Sequence, residues 1–435
     1  MRKSLVVIGA GLVLAVSGGI GVATTSDPTG TPRAGSVARV VPDSGLDLEA
    51  SIASLQGTLR RVPGDHVSWA NLAVAYVEQA RTTGDATYYA KADEAVARSF
   101  EVEPDDNFTA LAARAAIAAA RHDFADALAS AEEALAINPR DLGALAVRVD
   151  ALNELGRYDE QLEALRTADR LQPSTAIAAR YSYAHELRGD LDRALGILRR
   201  AADAGSRPDQ AYTLTLAADI LRKQGRLVAA GRKLDIVQQA VPGYLPGLVS
   251  SARLETARGN LDGAVALWED VVARQPLPEY LTELGELLQH LGRPEEADAQ
   301  FDVVRTTITL LDGSGVRTDL ETALFEADHG SPGRAVAQAR AEWRRRTSVH
   351  VADALAWALH RDGRDRQALA IARKATSLGS PEARFWIHRG TIEAALGMTS
   401  PARTHLRRGL ETDPGLSPWQ RAEAEATLSQ IEGRR

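Results

Sequence analysis

A glycine followed five residues later by a small side chain recurs along most of the chain. The glycines are 33 to 38 residues apart and stand at Gly156, Gly189, Gly225, Gly259, Gly292, Gly330, Gly363 and Gly397. A helix commonly ends on a residue in the left-handed conformation, which glycine adopts without a Cβ clash. Each glycine therefore predicts the end of one helix and, a few residues later, the start of another.

The small residues predict where the two helices of each pair cross. They are Ala92, Ala127, Gln161, Ala194, Ala230, Ala264, Ala297, Ala335, Ala368 and Ala402, and only Gln161 departs from alanine. Two helices that cross closely need a small side chain at the crossing point. Prolines such as Pro139 and Pro276 then stop many of the second helices. With only 5% aromatic residues and an excess of alanine, the chain is predicted to be all-α.

Helix pairs with a period near 34 residues resemble the tetratricopeptide-repeat (TPR) family. The residues that carry the resemblance are Trp69, Leu72, Tyr76, Leu284, Gly285, Ala297, Phe301, Trp386, Gly390, Ala402, Leu406 and Pro414. The resemblance implies a right-handed α-solenoid, a superhelix of about ten helix-turn-helix repeats over residues 64–415. A half-repeat capping helix is expected at 46–63, and a capping helix with a tail at 416–435.

The first 26 residues are predicted to be a signal peptide or a signal-anchor helix. Arg2 and Lys3 precede an uncharged, largely apolar run that is long enough to span a bilayer. Gly21 and Ala23 offer a cleavage point, and a buried helix or a misassigned start are the alternatives. Residues 27–45, rich in Ser, Thr, Pro and Gly, are predicted to be a flexible linker. We therefore expect an extracytoplasmic protein, secreted or anchored in the cytoplasmic membrane.

Composition argues against several classes of function. The net charge of −7 argues against nucleic-acid binding, and the absence of cysteine excludes disulfides and thiolate metal sites. Gly9 and Gly11 imitate a dinucleotide-binding turn, but Leu14 stands where that turn needs a small residue. We find no nucleophile elbow or phosphate-binding loop. The sequence predicts no catalytic residue, no cofactor and no metal. It indicates a monomeric bacterial protein, and the excess of Arg over Lys is typical of a GC-rich, actinobacterial-type genome.

The resemblance also implies a groove lined by the first helices, where a protein or peptide partner binds. The predicted groove residues are Asp150, Glu154, Tyr183, Glu186, Asp219, Arg253, Glu283, Glu286, His350, Asp353, Trp357, His360, Arg384 and His388. The family's carboxylate-clamping positions lack the required Lys and Asn. Acidic residues dominate the middle of the groove, and Trp, His and Arg dominate its C-terminal part. The expected partner is an extended or helical segment with a basic stretch and an apolar or acidic stretch. Ordinary solvated helix faces are the alternative.

Two further features leave alternatives open. His350 and Asp353 are three residues apart on one helix, close enough to share a ligand or a hydrogen bond. This supports a second reading of the function, an accessory protein that senses or delivers a small ligand or metal for a transport or enzyme system. Residues 82–89 and 306–315 lengthen two repeats, and such loops are either partner contacts or simple drift in length. The favoured prediction is a protein-binding scaffold of the cell envelope, and a cytoplasmic regulator is the third reading.

Overall fold

The computed structural model describes residues 45–313 and 316–433. The predicted leader and nearly all of the predicted linker lie outside these residues. Within them the chain is entirely helical, with 22 helices and no strand. None of these helices combines the length and the apolar character that a membrane crossing requires. The prediction of an all-α chain built from helix pairs is confirmed for this part of the chain.

One helix precedes ten consecutive helix pairs, and a final helix follows them. The helices are α1 (Gly45–Arg61), α2 (His66–Thr83), α3 (Thr87–Val102), α4 (Phe108–Ala120), α5 (Phe124–Ile137), α6 (Leu142–Glu154), α7 (Tyr158–Leu171), α8 (Thr175–Glu186), α9 (Leu191–Ala204), α10 (Arg207–Lys223), α11 (Leu227–Ala240), α12 (Leu245–Arg258), α13 (Leu261–Arg274), α14 (Pro278–His290), α15 (Pro294–Asp312), α16 (Asp319–His329), α17 (Pro332–Arg345), α18 (Val349–Arg361), α19 (Asp365–Ala375), α20 (Ala383–Ala395), α21 (Thr399–Thr412) and α22 (Pro418–Gly433).

The helices form two compact units. The first unit contains the described residues up to Arg180 together with the separate segment Thr309–Arg317. The second unit contains Tyr181–Ile308 and the described residues from Thr318 onward. In each unit the even-numbered helices from α2 to α20 are the first helices of their pairs.

The ten predicted crossing residues are all buried, each at most 1% exposed. Close packing of helix on helix explains why nine of them are alanine. Gln161 occupies the crossing position of its pair, and its Nε2 donates a hydrogen bond to Oδ1 of Asn153 at 3.1 Å. A hydrogen-bonded amide therefore replaces the apolar contact at this one crossing.

Seven of the eight predicted glycines end their helices in the left-handed conformation, with φ between 71° and 77°. The prediction is wrong for Gly330, whose φ is −146°. The Glu326 carboxylate folds back beside this glycine, where it accepts hydrogen bonds from the Ser331 amide at 2.8 Å and from Arg334 at 3.0 Å. A Cβ at position 330 would lie 2.1 Å from that carboxylate, so the glycine here makes room for a side chain.

The segment Thr309–Arg317 packs against the first lengthened repeat, and both lie in the first unit. Leu311 and Val316 are buried in one apolar cluster with Ala86 and Tyr89. The neighbouring segment is held by an ion pair of 3.1 Å between Arg317 and Asp123. We predicted partner contacts or drift in length for these insertions, and which of the two applies stays a prediction.

Candidate functional site

Two predicted groove residues lie in the first unit, and both have partners there. Asp150, on α6, accepts two hydrogen bonds from the buried Arg180 guanidinium, at 2.8 Å and 2.6 Å. Burial raises the pKa of Asp150, and Arg180 opposes that rise. Glu154 accepts a hydrogen bond of 3.0 Å from the side chain of Asn153.

In the second unit, first helices that are far apart in the sequence meet through charged side chains. Lys223, at the end of α10, contacts Glu186 at 3.1 Å and Glu382 at 3.3 Å. Its neighbour Arg222 forms a buried ion pair with Asp413. We call Arg222, Lys223, Glu382 and Asp413 the clasp. Glu382 and Asp413 were not predicted, because they lie outside the helix positions that line the groove in the resembling family.

Tyr183 and His350 also meet in this unit. The Tyr183 hydroxyl lies 3.0 Å from Nε2 of His350. Burial lowers the pKa of His350 to about 4, with Arg384 and Lys223 adding to the effect. The ring is therefore neutral at neutral pH and can pair with the hydroxyl as an uncharged donor or acceptor.

The middle of the predicted groove is rich in carboxylates, as expected. Arg253, on α12, holds Glu283 of α14 through two contacts from Nε, at 3.1 Å and 3.2 Å. Asp219 accepts a hydrogen bond of 2.8 Å from Ser250. Burial, helped by the nearby Glu283 and opposed by Arg253, raises the pKa of Glu279 to about 7. The acidic side chains here outnumber the cations that neutralise them.

The aromatic and basic residues near the C-terminal end form one buried network. The Trp357 ring stacks on His388 at 4.0 Å, and its Nε1 donates to Asp328 at 2.8 Å. Asp353 lies 3.0 Å from His388 and 3.2 Å from Arg384. His360 pairs with Asp365 at 2.6 Å.

His350 and Asp353 were expected to be close enough to share a ligand or a hydrogen bond. Each instead has its partner on another helix, Tyr183 for His350 and His388 for Asp353. In the part of the chain that the structure describes, no three His, Asp or Glu side chains are grouped to hold a metal ion.

The last helix, α22, contacts several of the first helices of the second unit. Glu286, on α14, lies 3.3 Å from His329 and accepts a hydrogen bond of 3.4 Å from Gln420 of α22. The Trp419 ring lies 5.1 Å from the His329 ring. Nη1 of Arg361 lies 3.8 Å from the Glu423 carboxylate. The predicted capping helix therefore also contacts α14, α16 and α18.

Glu321, on α16, makes stability depend on pH. Burial raises its pKa to about 8, above the ordinary value of 4.5. Below about pH 4.5 the carboxyl is protonated in both the folded and the unfolded chain. Between pH 4.5 and 8 only the unfolded chain loses the proton, so this group lowers stability as the pH rises. Above pH 8 the carboxyl is ionised in both the folded and the unfolded chain, so its effect on stability no longer changes with pH.

Glu321→Gln should therefore weaken the fall in stability between pH 5 and 8. The measurement is the urea midpoint of the full chain at pH 5, 6.5 and 8. Glu296→Gln, at a position whose ion pair with Arg293 is exposed, is the matched control and should follow the wild-type curve. If the urea midpoint of Glu321→Gln fell with pH as steeply as that of the wild type, the pH dependence could not be assigned to Glu321.

Comparison with known proteins finds a family model that matches the middle of the chain. The family model described as tetratricopeptide repeat matches residues 183–244 and 250–306. The matched segments span the end of α8, helices α9 to α14 except the start of α12, and most of α15. They include Glu186, Lys223, Arg253 and the acidic middle of the predicted groove. No curated protein matches the chain.

Solved structures with low sequence identity resemble the chain. A tetratricopeptide repeat protein from Parabacteroides merdae is 20% identical, with a TM-score of 0.35, over 59% of this chain and 98% of that one. Yeast Tom70 is 13% identical, with a TM-score of 0.36, over 89% and 93% of the two chains. The human IFIT1 dimer is 14% identical, with a TM-score of 0.46, over 83% and 86%.

Proposed function

We propose that this protein is a protein-binding scaffold and not an enzyme. Its tetratricopeptide repeats hold a segment of a partner protein that carries Lys or Arg side chains. The observation that supports this most directly is the pair Arg253–Glu283, whose side chains keep 27% and 33% exposure on the first helices of matched repeats. A charged pair that is fixed in position and still open to solvent can exchange contacts with a partner.

The excess of carboxylates supports a basic partner segment. Glu279 lies beside Glu283, and the single cation Arg253 serves both. A partner Lys or Arg would supply the missing charge. Interactions between partly buried opposite charges are screened by salt less than exposed ones, so they can set specificity.

The experiment is affinity capture with the full chain from envelope extracts, followed by mass spectrometry. Glu283→Gln should lower the affinity for the captured partner at least about tenfold, which is about 1.4 kcal/mol. Glu296→Gln removes a carboxylate that is likewise paired with an arginine but is exposed on α15. It should leave the affinity unchanged. Equal affinities for the two variants would contradict the proposal that the acidic middle of the predicted groove binds the partner.

The proposed location is outside the cytoplasm. The basic, then apolar, start of the chain supports this. A fusion of the full chain to a reporter that is active only after export should be active. Deleting residues 2–26 should abolish that activity without lowering the amount of protein.

A further inference from the structure

The second helices of the last three helix pairs are strongly basic, although the chain as a whole is acidic. Helices α17, α19 and α21 together carry ten Lys and Arg residues and three Asp and Glu residues. The second helices of the two preceding pairs, α13 and α15, carry two cations and eight acids. Because the net charge of the whole chain is −7, this concentration of positive charge is a local feature of the last three pairs.

Equivalent positions of these second helices show the same reversal of charge. The residue five positions after the buried crossing alanine is Glu269 on α13 and Asp302 on α15. In the next three pairs it is Arg340, Arg373 and Arg407, and all three arginines are exposed. Equivalent positions of consecutive repeats stack beside one another. The three arginines therefore form a row across the three helices.

Contacts between the pairs show that the basic helices are neighbours. Nζ of Lys374, on α19, lies 5.1 Å from the ring centre of Trp343 on α17. Nη2 of Arg408, on α21, donates a hydrogen bond of 3.3 Å to the carbonyl oxygen of Gly379, in the turn after α19. The exposed cations of α17, α19 and α21 therefore belong to one continuous surface.

Most cations of this surface have no carboxylate partner. Arg407 is an exception, since it pairs with Glu432 at 2.7 Å. Among the residues that the structure describes, no Asp or Glu forms an ion pair with six other exposed cations of the three helices. We call these six residues the basic face: Arg340, Arg344, Arg366, Arg373, Lys374 and Arg408. A surface with this much positive charge that is not neutralised attracts a partner rich in anionic groups.

The aromatic rings beside the basic face indicate which anionic partner fits. Lys374 lies over the Trp343 ring, and the Arg408 guanidinium lies 3.6 Å from the ring centre of Trp386. Proteins that bind single-stranded nucleic acid stack the bases on open aromatic rings, and here cations cover the rings. Guanidinium groups pair with phosphate oxygens without help from a ring. Phosphate groups spread over a surface therefore suit the basic face better than stacked bases do.

The headgroups of a phospholipid bilayer are such a surface. Clusters of Lys and Arg bind anionic lipids, and the attraction acts within about one Debye length, roughly 10 Å. The basic, then apolar, start of the chain predicts a membrane anchor. An anchor would keep the rest of the chain close to a bilayer, so a surface of modest affinity could stay bound. The acidic helices α13 and α15 would be repelled by the same lipids.

We propose that the basic face binds the headgroups of anionic phospholipids, with helices α17, α19 and α21 toward the bilayer. This inference goes beyond the proposed scaffold function, because it uses the second helices of the last three pairs. The partner segment of the scaffold is held by first helices, such as α12 and α14, so both contacts can exist together.

Chemical labelling of lysines in the full chain tests the position of the contact. Lys374, on the basic face, and Lys91, on α3, are both exposed, so an amine-reactive acetylating reagent reaches both in solution. Phosphatidylcholine vesicles with about one third phosphatidylglycerol should slow the labelling of Lys374 at least about fivefold and that of Lys91 less than about twofold. Mass spectrometry measures both rates. Vesicles of phosphatidylcholine alone should slow neither, and roughly 0.5 M NaCl should remove the protection.

Two double variants with the same loss of charge test the residues. Arg340→Gln with Arg373→Gln should reduce the protection of Lys374 to less than about twofold. Arg199→Gln with Arg232→Gln removes two exposed arginines from α9 and α11 and should leave the protection intact. Circular dichroism checks the fold of both variants. If the first variant is unfolded, the lipid and salt dependence of the wild type decides the question.

Three results would overturn the inference. They are equal labelling of Lys374 with and without phosphatidylglycerol, protection that persists in the Arg340 and Arg373 variant, and equal protection of Lys91. Single-stranded DNA and polyglutamate, at the same concentration of charge, should each protect Lys374 less than the vesicles do. Stronger protection by either would assign the basic face to nucleic acid or to an acidic protein instead. Capture through Glu283 is measured separately, so failure of one proposal leaves the other open to its own test.

Discussion

Asp413→Ala should destabilise the second unit by about 3–5 kcal/mol, because it leaves Arg222 charged, buried and without its main partner. The Arg222 side chain is 6% exposed, and the next carboxylate, on Asp219, lies 3.7 Å from its Nε. Gly415 covers the guanidinium so closely that a Cβ there would lie 2.2 Å from Nη1. Water therefore cannot easily replace the lost carboxylate.

Urea unfolding followed by circular dichroism, with hydrogen exchange of the α10 amides, measures the effect. Asp302→Ala is the matched control, since it removes an exposed ion pair with Arg305 and should cost less than about 1 kcal/mol. The double change Arg222→Met with Asp413→Leu should recover most of the loss, because buried ion pairs can be replaced by apolar side chains. If Asp413→Ala lowered the free energy of unfolding as little as Asp302→Ala, the ion pair between Arg222 and Asp413 would contribute little to stability.

Gly285→Ala should cost about 1–3 kcal/mol, although alanine is the better helix former. A Cβ at position 285 would lie 2.4 Å from the ring of Phe301. Phe301 cannot retreat freely, since it is buried and lies against Phe325 and His329. The buried side chains of this helix pair must therefore shift to relieve the clash.

Gly196→Ala is the matched control on α9. The nearest atom to a Cβ there is the flexible end of Arg200, at 3.7 Å. This variant should gain about 0.5–1 kcal/mol, because alanine restricts the unfolded chain and favours the helix. The same urea titrations measure both changes. A loss of stability for Gly196→Ala equal to that for Gly285→Ala would show that crowding by Phe301 does not explain the loss at position 285.

The local features of the fold follow from the sequence because they depend on neighbouring residues. Ala264 and Ala402 are buried at helix crossings, and Gly292 and Gly397 end helices in the left-handed conformation. Gly330 does not, because the conformation there depends on how Glu326 folds back. A side-chain contact of that kind cannot be predicted from the spacing of glycines.

The contacts between distant repeats could not be predicted in the same way. Whether Lys223 meets Glu382 depends on the rotation added by every helix pair between them, and small uncertainties accumulate. The sequence therefore named Glu286, Arg253 and His388 as groove residues but not the pairs that they form. Their role in partner binding stays a prediction.

The first unit is built from two separate stretches of the chain, and this has a consequence for its synthesis. Its N-terminal repeats end at Arg180, but Leu311 and Val316, which complete the cluster around Tyr89, are translated roughly 140 residues later. At ordinary elongation rates of about 5–20 residues per second, the surface around Ala86 and Tyr89 is uncovered on the nascent chain for on the order of 10 s. A chaperone that binds apolar surface on nascent chains has that interval in which to act on this protein.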